Sequence, residues 1–320
     1  MGAVLWALSR GSVRFSPLDI FAADHGRAAL ARQILSTIRG PRVACALLVG
    51  AGLSVAGAAL QSAFRNPLAE PYLLGISAGG ALGATLALWA KLPSWGASEA
   101  PTGAAFIGAL LAAALVYALA RPSRRALLTG TASLDRSTLL LAGVALSAFL
   151  SSLLSLVVAL TGRYDLERQT QFWLLGGLQN ARWQDVPALA LALTGGLCLL
   201  LASARDLNAL RAGDEEAASL GVEVARVQQR LLFAACLLAA ACVATAGLVG
   251  FVGLLAPHAM RLLFGTDARA LLPAAALGGA TFLVLADLLA RSLLPPIEIP
   301  LGVVTALFGV PLFLYLARKR

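Results

Sequence analysis

Charged residues are scarce in this chain. They make up 13% of its 320 residues, whereas hydrophobic residues make up 59%. A soluble domain averages about 25% charged and about 45–50% apolar residues. A single packed core cannot absorb this apolar excess, but a lipid bilayer can. The scarcity of charge therefore excludes an ordinary soluble fold and indicates an integral membrane protein.

The alternation of polar and apolar residues that is typical of β-barrel strands is also missing. Apolar residues instead form continuous runs, and a helix needs roughly 20 of them to cross a bilayer. The sequence therefore predicts an all-α polytopic bundle that forms one membrane domain over residues 1–320. Eight long tracts are present: 43–64, 73–90, 103–120, 138–161, 186–204, 231–250, 270–290 and 299–317.

Residues that carry common enzyme chemistry are few. Histidine is limited to His25 and His258, and neither Lys91 nor Lys319 precedes Ser or Thr. The chain therefore lacks the phosphate-binding loop of an ATPase. Its four cysteines lie in apolar tracts without the spacing of a metal finger. We predict no catalytic residue, no metal site and no bound cofactor, so active transport would draw on a partner or an ion gradient.

Acidic residues are outnumbered, 16 against 25 basic ones. No basic run is long or aromatic enough for nucleic acid, and basic loops usually face the cytoplasm. The loop 121–136 and the tail 318–320 are therefore predicted to be cytoplasmic. Five long tracts lie between them, so the segment 253–264 is predicted to be one further crossing. The basic stretch 11–41 then lies outside, either as an exception to the charge bias or facing an acidic partner.

An acidic residue lies deep in only one long tract, at Asp287. Transporters driven by an ion gradient usually carry such a residue on their pathway. Arg291 follows four residues later on the same helical face, so a local ion pair also explains Asp287. A gradient-driven secondary transporter is therefore the alternative function.

The loop 205–229 is polar and falls on the predicted cytoplasmic side. Its acids stand near a predicted helix start, which the helix dipole favours, and its glycines can end helices. Its leucines would give a short helix an apolar side. It is either a docking element for another protein or a solvated loop. The residues concerned are Leu207, Leu210, Gly213, Asp214, Glu215, Glu216, Leu220 and Gly221.

Four segments carry a resemblance to a known family. Together they resemble the FecCD-type permeases, the membrane subunits of binding-protein-dependent ABC importers for iron–siderophore complexes, haem and cobalamin. The resemblance covers nearly the whole chain. The segments are 57–83, 139–147 with 172–178, 209–222, and 247–291 with 299–316.

The resemblance implies a type II ABC importer permease of ten transmembrane helices, working as a homodimer in the inner (plasma) membrane. Two ATP-binding cassette subunits would bind the cytoplasmic face and use the ATP and magnesium. A periplasmic or lipid-anchored binding protein would deliver the substrate. This chain begins near the outer end of the first family helix, so we expect nine to ten crossings surrounded by membrane lipid.

The resemblance also assigns a cytoplasmic gate to Asn66, Pro67 and Leu68. It also implies that Ser137 is part of a second gate, which the cobalamin importer builds from small hydroxyl residues. Arg136 occupies the neighbouring gate position here, where it is either part of the gate or a plain cytoplasmic charge.

The resemblance implies that residues 209–222, within the loop 205–229, form the family's coupling helices, which sit in clefts of the ATPases. The residues assigned to coupling are Leu207, Leu210, Gly213, Asp214, Glu215, Ala218, Leu220 and Gly221.

Two further sets of arginines are predicted on the outer face. The resemblance implies that Arg39, Arg42 and Arg291 contact acidic residues of the binding protein. Arg163 and Arg168 lie just beyond the outer end of the tract 138–161. They are either a substrate mouth that attracts an anionic chelate or haem propionates, or rim charges paired with neighbouring acids.

Overall fold

The computed structural model of the protein describes residues 2–9, 25–93, 99–120 and 135–318. Within these ranges the chain forms fourteen α-helices, and an isolated β-bridge joins Leu294 to Ile297. The first seven are α1 (Gly2–Ser9), α2 (His25–Gln33), α3 (Gly40–Ala63), α4 (Ile76–Trp89), α5 (Ala100–Leu119), α6 (Arg136–Thr161) and α7 (Tyr164–Leu175). The others are α8 (Asp185–Ala202), α9 (Ala204–Ala212), α10 (Asp214–Ser219), α11 (Val224–Ala246), α12 (Val252–Phe264), α13 (Ala268–Ser292) and α14 (Leu301–Arg318).

The predicted all-α polytopic bundle is confirmed. Six helices of the described chain are long and apolar enough to cross a membrane, and three shorter apolar helices accompany them. Each of the eight predicted tracts coincides with a helix, because a long apolar run can satisfy its backbone in lipid only as a helix. The short segment 253–264 forms α12. A π-helical turn, Ile34–Arg39, joins α2 to α3, and a 3-10 turn, Pro71–Leu74, precedes α4.

Helix α3 is the centre of the bundle, with 83% of its most apolar stretch buried. It packs against α11, α12 and α13. Glycines allow this approach: a Cβ added at Gly57 would overlap the backbone carbonyl of Gly253, and one at Gly50 would overlap that of Gly279. Small residues let helix backbones come this close in lipid, where packing rather than water exclusion drives association.

Helix α6 is the opposite case, with 11% of its most apolar stretch buried. It contacts α4, α5 and the 3-10 turn, where Gly143 lies against the backbone carbonyl of Leu73. Its exposed side chains are mainly apolar or small, and the largest of them are Leu141, Val144, Phe149, Leu156 and Leu160. This helix therefore has a long apolar face with no partner among the described residues.

Candidate functional site

A tight turn follows α3 at one end of the bundle. The Asn66 side-chain oxygen accepts a hydrogen bond from the backbone N–H of Leu68 at 2.9 Å. Asn commonly closes turns in this way, and Pro67 fixes the backbone between the two residues. Leu68 projects from the turn with 48% of its surface exposed. The three predicted gate residues therefore form a preorganised turn with an apolar tip.

The end of α3 and the turn that follows it are braced against α12 and the residue just before it. The Gln61 amide donates to the carbonyl of Gly253 at 3.0 Å and accepts from Arg261 at 3.0 Å. Phe251 donates its backbone N–H to the Glu70 carboxyl at 2.8 Å. Glu70 lies in the loop between α3 and α4. Burial raises the pKa of its carboxyl to about 7, and the hydrogen bond from the Phe251 N–H opposes that shift. Sequence reasoning missed Gln61, Glu70 and Arg261, because their partners lie about 180–200 residues away.

Helices α9 and α10 form a short pair at the same end. Leu207 and Leu210 on α9 are buried against the bundle, whereas Leu220, just after α10, is 73% exposed. The expectation that these leucines share one apolar side is wrong. The chain breaks at Gly213, so helical spacing does not carry from α9 into α10. Gly221 takes the left-handed conformation that glycine adopts most easily at a helix end.

The pair is fastened to the start of α13. Asn208 donates its amide to the Asp267 carboxylate at 2.7 Å and accepts the backbone N–H of Ala268 at 2.9 Å. The Asn208 hydrogen bond lowers the pKa of Asp267. Arg211 donates to the carbonyl of Thr266. The α9 side chains that face the bundle therefore fix the pair, and they leave Glu215 and Ala218 exposed.

The pair is also fastened to the start of α6. The Arg136 guanidinium lies 2.6 Å from the Asp214 carboxylate, and Gln228 donates to the same carboxylate at 3.4 Å. Asp135 caps α6 by accepting the backbone N–H of Ser137 at 3.0 Å. Arg136 is thus neither a bare cytoplasmic charge nor an isolated gate residue. The Ser137 side chain is exposed in the first turn of the helix.

At the opposite end, Arg42 binds two acids. It lies 2.9 Å from Asp287 and 3.0 Å from Glu298. The predicted Asp287–Arg291 pair is confirmed at 3.5 Å, although Arg42 is the nearer partner. Asp287 is therefore matched by two guanidinium groups. This is the arrangement of a structural ion pair, and it gives no support to a proton or sodium pathway.

The other two outer arginines hold α1. Arg39 donates to the carbonyl of Leu8 at 2.6 Å, and Arg291 donates to the carbonyl of Ala7. Cations are favourable at a helix C-terminus, where the carbonyls have no partner within the helix. Together with Arg42 these arginines are 4–7% exposed. Their guanidinium groups face the protein interior in this conformation.

The two arginines of the predicted mouth have different surroundings. Arg163 pairs with Asp165 at 2.7 Å on the surface, as expected for a rim charge paired with a neighbouring acid. The hydrogen bond between them raises the pKa of Arg163 and lowers that of Asp165. Arg168 lines a cavity of about 440 Å³ beside α7. Carboxamides share this lining: Gln169, Gln179, Asn180 and Gln184.

Residues 1–319 match the FecCD transport family. The chain belongs to this family. It is 45% identical over 290 residues to the cobalamin import system permease protein BtuC of Halobacterium salinarum, covering 91% of this chain and 74% of that protein. It is 43% identical over 291 residues to the hemin transport system permease protein HmuU of Yersinia pestis, covering 90% and 84%.

A solved structure agrees with the helical arrangement. It was reported as an inward-facing conformation of an ABC transporter of metal-chelate type. It is 31% identical, covers 99% of this chain and 96% of its own, and superposes with a TM-score of 0.84. The predicted permease fold and the multi-pass inner-membrane location are thereby confirmed, and the role of the chain is transport.

Family membership leaves the roles of individual residues as predictions. Leu68 and Leu220 are exposed apolar side chains at the predicted cytoplasmic end of the bundle. Leu207 and Leu210 are buried, so these two leucines can support coupling only by anchoring α9. Docking through Arg39, Arg42 and Arg291 stays a prediction as well, and their observed contacts are internal.

Proposed function

We propose that this chain is the permease subunit of a binding-protein-dependent ABC importer for an iron–siderophore complex, haem or cobalamin. The helix pair α9–α10 carries the proposal. Its inner face is anchored to the bundle by buried leucines and Asn208, and its outer face is free to dock. The sequence has no phosphate-binding loop of its own, so a separate ATPase subunit supplies the energy.

The transporter works as a homodimer around a central path. Two helices support this proposal. Helix α6 has 11% of its most apolar stretch buried, and α14 exposes Leu307, Phe308 and Leu314. A second copy would cover part of these faces and leave the rest lining the path. Small and apolar linings suit a bulky chelate or tetrapyrrole, which crosses without strong polar contacts.

Transport then proceeds by linked movements. A loaded binding protein docks at the outer end, near α1, α2 and the loop after α13. ATP binding closes the two ATPase subunits, and the movement reaches the bundle through α9 and α10. The turn at Asn66, Pro67 and Leu68 opens and closes the inner end of the path. ATP hydrolysis takes place on the partner subunits.

The test of this proposal is assembly with the ATPase. The tagged chain is co-expressed with the ATPase subunit and purified in detergent. Leu220→Asp places a charge on the exposed tip of the docking pair and should abolish co-purification. Tyr164→Asp, 88% exposed at the other end of the bundle, is the matched control and should leave the complex intact. Equal recovery of the ATPase with both variants would contradict docking at α9–α10.

A further inference from the structure

Among the contacts of the helix pair α9–α10, two lead to membrane helices that differ greatly in how firmly they are held. One tie leads to α13 and the other to α6. When a rigid element moves, it displaces the neighbour that has the fewest other contacts. The two ties therefore have different mechanical roles.

The contact between Asn208 and the start of α13 joins the helix pair to the most tightly packed part of the bundle. Asn208 holds the first turn of α13 by two hydrogen bonds, of 2.7 and 2.9 Å. Helix α13 packs along the central helix α3, and a Cβ at Gly279 would overlap the Gly50 carbonyl. Such close backbone packing resists sliding, since interiors are packed too densely to deform smoothly. This tie is suited to act as a pivot.

The α6 tie leads to the least buried long helix among the described spans, with 11% of its most apolar stretch inside the protein. The tie is the Arg136–Asp214 pair, at 2.6 Å. The two side chains are 23% and 25% exposed, so water screens the pair only in part. A charge-assisted hydrogen bond of this kind is both stronger and more directional than a neutral one.

The excess of basic residues in cytoplasmic loops accounts for an arginine in this loop, but not for its place inside the first turn of α6. Arg136 is the first residue of α6, where the helix dipole disfavours a positive charge. Asp135 already caps the helix, so Arg136 is not needed to satisfy its first N–H groups. Departures from such local rules are expected at functional sites.

We infer that Arg136 is the positioning residue that passes the movement of the coupling helix to α6, with Asn208 at the pivot. This rests on the proposed function, since it requires an ATPase that moves α10. Displacement of α10 pulls Asp214, Asp214 carries Arg136, and α6 shifts along the path. The Gln228 amide, 3.4 Å from Asp214, keeps the carboxylate oriented toward Arg136.

The experiment compares variants in the complete transporter in liposomes, measuring substrate uptake and ATP hydrolysis on the same sample. We expect the Arg136→Gln complex to move about fivefold less substrate per ATP hydrolysed, the order that coupling energies between contacting residues produce. The ATPase should still co-purify with it. Arg226→Gln is the matched control, because Arg226 pairs with Glu223 at 2.6 Å within one exposed helix start. It should leave the ratio unchanged.

Charge reversal separates transmission from damage to the fold. Arg136→Asp and Asp214→Arg should each uncouple transport, and the double variant should recover most of the uptake per ATP. An unchanged ratio in Arg136→Gln, or a double variant no better than the single ones, would overturn the inference. If the unaltered chain binds no ATPase and shows no ATP-dependent uptake, the proposed function itself fails and the inference falls with it.

Discussion

Arg42 and Asp287 lie 245 residues apart in the chain, yet their nearest side-chain atoms are 2.9 Å apart inside the bundle. The pair joins α3 to α13 and, through Arg291, to the carbonyl of Ala7 near the end of α1. Removing one member of a buried pair leaves an uncompensated charge, which costs more than the pair contributes.

Asp287→Asn should therefore lower the stability of the protein by about 3 kcal/mol. The amide retains one acceptor, but Arg42 and Arg291 lose their shared negative charge. Thermal unfolding of the purified chain in detergent measures the effect. Asp165→Asn removes the exposed partner of Arg163 and is the control, with little change expected. Equal melting temperatures for the two variants would show that the buried pair does not hold α3 and α13 together.

The close approach of α3 and α12 gives a second prediction. Gly57→Ala places a methyl group onto the backbone carbonyl of Gly253, which cannot move aside. We expect poor expression or aggregation, seen as loss of the monodisperse peak in size-exclusion chromatography. Gly103→Ala, where no atom lies within 4 Å of the new Cβ, should be tolerated or slightly stabilising. Normal behaviour of Gly57→Ala would mean that these helices are farther apart.

The Glu70 carboxyl gives a pH prediction. Its pKa in the folded protein is about 7, because of burial, and the unfolded value is about 4.3. The folded state therefore binds more protons than the unfolded state between these values. Its contribution to stability is present below the unfolded pKa and is lost as the pH rises through about 7.

Melting temperatures measured from pH 5 to pH 8 should thus fall more steeply for the unaltered protein than for Glu70→Gln. Glu215→Gln changes an exposed glutamate at the same end and should follow the unaltered protein. Parallel curves for all three would show that Glu70 is accessible to water.

Disulfide cross-linking at the exposed Leu68 position tests the proposed gate and the proposed dimer together. With Cys198, which is exposed, changed to Ser, Leu68→Cys should form an oxidant-dependent cross-link between two copies and block uptake until it is reduced. A disulfide requires Cα atoms within about 7 Å, so it forms only if the two tips meet. Leu119→Cys, exposed at the end of α5, is the control and should not cross-link. Cross-linking at both positions, or at neither, would count against a gate at this turn.

The sequence predicted the helices well and their side-chain partners poorly. A long apolar run has one stable solution in lipid, so the tracts became helices close to the predicted bounds. The Asp287–Arg291 pair was also predictable, because both residues lie on one helix face. The partners of Arg42 and Arg136 were not, because they depend on which helices pack together. The same holds for Leu220, whose direction depends on the break at Gly213.

The most direct test of the account is substrate-stimulated ATPase activity. The chain is co-expressed with its ATPase subunit, reconstituted in liposomes, and given the binding protein loaded with haem, a ferric siderophore or cobalamin in turn. We predict that one loaded form stimulates ATP hydrolysis and that Leu220→Asp, with its docking pair disrupted, shows none of this stimulation. A stable complex that no loaded binding protein stimulates, or substrate uptake that follows an ion gradient without ATP, would contradict it.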